Sequence, residues 1–141
     1  MSASVILVVD DEPIIVNTLV LVLNRTPDEF LAIGATNIAD ALKIVHGVRP
    51  DLVLLDTMMP GVQGLQHAVE MRVQCGCKVL MMSGHTGTGT LIDEWNRAGN
   101  EPFDIVAKPI HPIALISKIR ELLQVDVRAL EWRNPLDFRV Q

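Results

Sequence analysis

Five apolar, strand-like runs alternate with helix-like segments along most of the chain: Val5 to Val9, Phe30 to Ala35, Leu52 to Leu55, Val79 to Met82 and Phe103 to Ala107. Repeated βα units of this kind point to an α/β fold built on a parallel sheet. The first, third and fourth runs are almost uninterrupted Val, Leu, Ile and Met, the pattern of strands covered by helices on both faces, whereas the second and fifth contain Gly34 and Asp104 and suit the sheet edges. The expected strand order is 2-1-3-4-5, the commoner five-stranded doubly wound arrangement.

Helix signals fill the gaps. Pro13 sits where the first turn of a helix tolerates it, and that helix should run to about Asn24 before Thr26-Pro27-Asp28 breaks it. In the second helix Asn37 can cap and Gly47 can terminate, with Ile38, Ala41, Leu42 and Val45 forming one apolar stripe at i, i+3, i+4 and i+7. A third helix should start near Gly64 or Leu65, and a fourth near Thr88 or Thr90, ending at Ala98 with Gly99 just beyond it. A fifth is expected from Pro112 to Leu123, with Ile113, Ile116, Ile119 and Leu123 on one face.

At 141 residues the chain has room for one domain and no second full one. Apolar residues make up 49% of it, yet no run approaches the roughly 18 consecutive apolar residues of a membrane span. Met1-Ser2-Ala3-Ser4 leads straight into the first strand without a basic or cleavable leader, so a cytoplasmic location is expected. A formal net charge of -5 disfavours direct nucleic-acid binding by this chain, which would need a surplus of Lys and Arg on one face. Cys75 and Cys77 lack the second ligand pair of a structural zinc site and read as reduced packing residues.

The chemistry lies at the strand ends. The first run ends in Asp10-Asp11-Glu12, the third in Asp56-Thr57-Met58-Met59-Pro60, the fourth in Ser83-Gly84 and the fifth in Lys108-Pro109. In the expected order the first and third strands are neighbours, about 4.8 Å apart, and the topological switch point lies at their carboxyl ends. Asp10, Asp11 and Asp56 would converge there, and two carboxylates about 4 Å apart repel by roughly 4 kcal/mol at an effective dielectric near 20. Mg2+ suits such an all-oxygen site, and Lys108 supplies a second positive charge. A phosphoryl group would meet a carboxylate nucleophile in Asp56, the cation on its oxygens, Lys108 opposite and a hydroxyl donor in Ser83.

Taken together and in this order, these motifs make residues 4 to 123 resemble the receiver domain of two-component response regulators, a flavodoxin-like fold with five flanking helices. The resemblance implies that Asp56 accepts phosphate from a sensor histidine kinase or phosphotransfer protein. It implies that Asp11 binds Mg2+ directly, that Asp10 acts largely through water, and that Asp56 and the backbone carbonyl of Met58 complete the protein ligands. The domain would then be a signalling switch that assists its own phosphorylation and dephosphorylation, rather than an enzyme acting on other substrates. Ser83 would move toward the phosphoryl group, while an aromatic residue three positions before the lysine swings inward. Ile105 stands at that position here, and the chain contains no Tyr, so the ring-based signal cannot operate in its usual form. Met58 and His85 occupy the positions that influence how readily water reaches the phosphoryl group.

Each motif also has a plainer reading. Asp10 or Asp11 could simply cap the first helix, Ser83-Gly84 could be an ordinary turn and Lys108-Pro109 an ordinary approach to a helix. The run from Gly84 to Gly89 lacks the ending of a phosphate-binding P-loop and reads as a linker, while His46, His67, His85 and His111 show no ligand spacing and read as surface or turn residues. An aspartyl-phosphate hydrolase of the haloacid-dehalogenase kind would need Asp where Met58 stands, and aromatic residues at 4% leave a flavin carrier little to stack on. The expected organisation is a receiver over 1–123, with 124–141 as a tail or the start of a linker. The output partner and self-association into a homodimer are left open.

Overall fold

The computed structural model describes residues 3–56, 64–84 and 93–133, and side chains as far as residue 123. Its elements follow the expected alternation: β1 (Ser4–Val9), α1 (Pro13–Leu23), β2 (Phe30–Ala35), α2 (Ile38–Val48), β3 (Leu52–Asp56), α3 (Gly64–Cys75), β4 (Lys78–Ser83), α4 with residues 93–97 described, β5 (Asp104–Ala107) and α5 (Pro112–Arg133). The beginning expected for α4, at Thr88 or Thr90, lies outside the described residues.

All strand pairings are parallel, in the order β2-β1-β3-β4-β5. The strands that read as continuous apolar runs are central, and those carrying Gly34 and Asp104 are the edges. Because successive side chains along a strand point to opposite faces, each central strand feeds two cores. Leu7, Val9, Val53, Leu55, Val79 and Met81 pack with Ala41 and Val45 of α2 and with Ala68 and Met71 of α3. On the other face Ile6, Val8, Leu54, Leu80 and Met82 pack with Val16 and Leu19 of α1 and with Leu115 and Ile119 of α5. This double coverage of fully buried strands places their carboxyl ends side by side at one rim.

Local details differ from the sequence reading in four places. Asn37 caps α2 as expected, its side-chain oxygen accepting from the Asp40 amide at 2.8 Å, but Gly47 stays helical and the helix ends at Arg49, at φ 60. Pro50 explains this, since its ring disfavours the helical conformation for the residue before it. In α5 the inward anchor is Leu115, with Ile113 75% exposed, because 113 lies nearly opposite 115 and 119 on the helical wheel. That helix also continues to Arg133, past the boundary expected at Leu123, through a stretch whose first proline is Pro135. Finally, Cys75 and Cys77 do pack against the core, but they are joined in a disulfide rather than reduced. Gly76 between them adopts φ 66, a left-handed conformation glycine takes freely, and this brings the two Cα atoms to 5.1 Å, within disulfide range.

Two side-chain clasps hold the periphery. Arg120 of α5 donates to both carboxylate oxygens of Glu29, ahead of β2, at 2.6 and 2.7 Å. Arg72 of α3 donates to the carbonyls of Glu101 and Pro102 at 2.9 and 2.7 Å and lies 3.6 Å from the ring centroid of Phe103, fixing the approach to β5.

Candidate functional site

The rim formed by the carboxyl ends of β1, β3, β4 and β5 collects the polar residues that terminate those strands. Asp10 follows β1 and is wholly buried, Asp56 closes β3 at 2% exposure, and Ser83 closes β4 at 9%. Burying two carboxylates side by side is costly unless they are paired. The compensation arrives from the far end of the sequence: the Lys108 ammonium lies 2.9 Å from Asp10 Oδ2 and 3.3 Å from Asp56 Oδ1. Lys108 is carried there by β5, whose Ala107 is in register with Ser83, and its own amide donates to the Ser83 carbonyl at 2.8 Å. Partial burial opposes the charge on Lys108, but the hydrogen bond to Asp10 and the field of Asp56 outweigh it and hold its pKa above the ordinary lysine value.

Asp10 divides its two oxygens. Oδ2 faces Lys108, while Oδ1 accepts from the Glu12 amide at 2.9 Å and tightens the turn into α1. The cap position of α1 is Glu12, without a side-chain bond, so neither Asp10 nor Asp11 is a simple helix cap. Asp11, half-buried, completes an acidic trio: one oxygen each from Asp10, Asp11 and Asp56 lie within 4.8 Å of one another. Three convergent carboxylate oxygens form the donor set a hard divalent cation prefers, and a small octahedral ion would keep water at its other positions.

The site therefore unites Asp10, Asp11, Asp56, Ser83 and Lys108, as their strand-end positions suggested. Ile105 stands outside this cluster on the edge strand β5, 38% exposed. Met58, with its backbone carbonyl, and His85 lie outside the described residues, as does the run from His85 to Gly89. Of the remaining histidines, His46 and His111 are exposed as expected, whereas His67 is half-buried in α3 with Nδ1 3.4 Å from Glu70.

A doubly wound parallel sheet with an acidic trio, a hydroxyl and an ammonium at its switch point defines a flavodoxin-like domain with a charged site at its carboxyl rim. The chain belongs to the response regulator receiver domain family, whose sequence model matches residues 6–120. It is 34% identical over 119 residues to the DNA-binding response regulator MtrA of Mycolicibacterium smegmatis, an alignment covering 84% of this chain and 50% of that protein. The chain spans about half the length of this and other curated relatives. Among solved structures, NtrX from Brucella abortus superposes with a TM-score of 0.76 at 28% identity, over 94% of this chain and 29% of that one. A CheY-like receiver domain protein from Methanospirillum hungatei superposes with a TM-score of 0.75 at 22% identity, over 91% and 99% respectively. The domain is thus a signalling module of the two-component class. Among the described residues no helix is long and apolar enough to cross a membrane.

Proposed function

We propose that this domain is a Mg2+-dependent phosphoacceptor in which Asp56 takes a phosphoryl group from a sensor histidine kinase or phosphotransfer protein. The observation that carries the proposal is the pairing of Lys108 with both Asp10 and Asp56 beside the acidic trio. Asp10, Asp11 and Asp56, with the Met58 carbonyl, would hold the cation, which supplies charge neutralisation for phosphoryl oxygens. Asp56 is the nucleophile, its orientation maintained by the buried end of β3. Lys108 would release Asp56 and contact the incoming phosphoryl oxygens, and the Ser83 hydroxyl would donate to them.

Phosphorylation then biases two conformations through contacts that exist only in the modified state, those of Lys108 and Ser83. Ile105, at the position where the family places an aromatic residue, replaces ring movement with the packing of a smaller aliphatic side chain. The switch assists its own phosphorylation and dephosphorylation, and Met58 and His85 set the access of water. We place the receiver at 1–123, with 124–141 a tail or linker continuing from α5, and its setting in the cytoplasm. The acidic chain would engage its output partner, or a second copy of itself, through protein contacts rather than nucleic acid.

The test is incubation with a small-molecule phosphodonor, followed by intact mass measurement and peptide mapping. One phosphoryl group on Asp56, dependent on Mg2+, is the expected result. Undiminished labelling of Asp56→Asn, or full labelling of the unaltered protein in excess EDTA, would refute the assignment.

A further inference from the structure

The end of the sheet opposite Asp56 carries a second reactive group that phosphoryl chemistry does not use. Cys75 is the last residue of α3 and Cys77 immediately precedes β4, with Gly76 in its left-handed conformation folding one back on the other. A disulfide that closes a loop with a single intervening residue restricts the unfolded chain very little, so it has little value as a structural staple. Both cysteines are only partly buried. Cys77 also lines a cleft of 610 Å³ at this pole, together with Arg72, Lys78, Asp51, Glu101 and Asp104. The reduced state has a partner already in place: Cys75 Sγ lies 3.3 Å from the Pro50 carbonyl oxygen, which can accept its thiol proton.

We propose that Cys75 and Cys77 form a reversible dithiol–disulfide modification site whose oxidant is a low-molecular-weight disulfide such as oxidised glutathione. The two sulfurs have unequal roles. Cys75 sits at the carboxyl end of α3, where the negative pole of the helix and the Pro50 carbonyl both disfavour a thiolate. Cys77 lines the cleft, which gives a small disulfide access to its sulfur, whereas Cys75 is not among the residues that line it. Cys77 is therefore the attacking sulfur. Its thiolate attacks the disulfide of the oxidant, forming a mixed disulfide and releasing one thiolate, which takes up the proton Cys77 has lost. Cys75 then loses its proton and attacks Cys77 Sγ, expelling the second thiolate, which takes up that proton. Two electrons pass from the cysteine pair to the oxidant, and the glutathione pool reverses the exchange.

The full chain is equilibrated across a series of reduced-to-oxidised glutathione ratios, trapped with an alkylating agent and read by mass spectrometry. The expected result is a single two-electron transition between doubly alkylated and unalkylated protein. In Cys75→Ser a mixed disulfide should accumulate on Cys77, whereas Cys77→Ser should react at Cys75 about tenfold more slowly, because Cys75 sits at the negative pole of α3 and outside the cleft. Circular dichroism confirms that each serine variant is folded before its rate is compared. The proposal is overturned if both thiols of the unaltered protein alkylate at every ratio, if the pair stays oxidised in the folded protein under excess dithiothreitol, or if the two serine variants form mixed disulfides at equal rates.

Discussion

Replacing Lys108 with Ala should destabilise the domain strongly in EDTA and much less in Mg2+, because the ammonium and a divalent cation would neutralise the same carboxylates. The ammonium lies 2.9 Å from Asp10 and 3.3 Å from Asp56, both buried. At an effective dielectric near 20 those contacts amount to about 6 and about 5 kcal/mol of gross attraction, much of it offset by the hydration the ammonium gives up. Without Lys108, carboxylate oxygens within 4.8 Å of one another lose the ammonium they share. Their mutual repulsion is about 3.5 kcal/mol on the same scale, in line with the roughly 3–5 kcal/mol lost when one partner of a buried pair is removed. In saturating Mg2+ the deficit shrinks by as much as the cation binds the variant more tightly than the parent, so a hundredfold ratio of dissociation constants would remove about 2.7 kcal/mol, half or more of it. It should therefore bind the variant more tightly than the parent, since no ammonium competes with it. Urea unfolding curves of both proteins, in EDTA and in saturating Mg2+, measure each of these quantities. A deficit of the same size in both buffers, or a parent that gains more from Mg2+ than the variant, would refute the shared-neutralisation argument.

Three further outcomes follow from other parts of the molecule. A side chain at Gly34 of β2 would run into Val16 of α1, so Gly34→Val should cost about 1–3 kcal/mol in urea unfolding, and adding Val16→Ala should recover part of that loss. The hydrogen bond from Arg120 holds the Glu29 pKa below its ordinary value of 4.5 against the opposing effect of burial. Stability from that pair is therefore present above the ordinary value and lost as pH falls through the lowered one, and the melting-temperature difference between Arg120→Ala and the parent should close over that acid range. Met58→Asn should shorten the life of the aspartyl phosphate about fivefold, the effect of about 1 kcal/mol from one new hydrogen bond to the attacking water, followed as decay of the phosphorylated mass.

The sequence alone determined the layering of the fold and the end of the sheet where chemistry occurs. Uninterrupted apolar runs can be stable only between two covering layers, and a polar residue ending such a run must emerge at the rim. Gly34 and Asp104 marked the edge strands, and the commoner doubly wound order, taken with them, brought Asp10, Asp56, Ser83 and Lys108 to one rim. The stripe of α2 was equally legible, since Ile38, Ala41, Leu42 and Val45 meet the core at the helical period. Tertiary structure alone decided which carboxylates Lys108 neutralises, 98 and 52 residues away in sequence, because that depends on where β5 docks against β4. It also selected Leu115 over Ile113 as the anchor of α5, since periodicity shows that a helix has an apolar side without saying which apolar residue meets the sheet. The Cys75–Cys77 bond depended on a backbone angle at Gly76 that glycine can take or leave, and the packing of α3 against β4 made the choice.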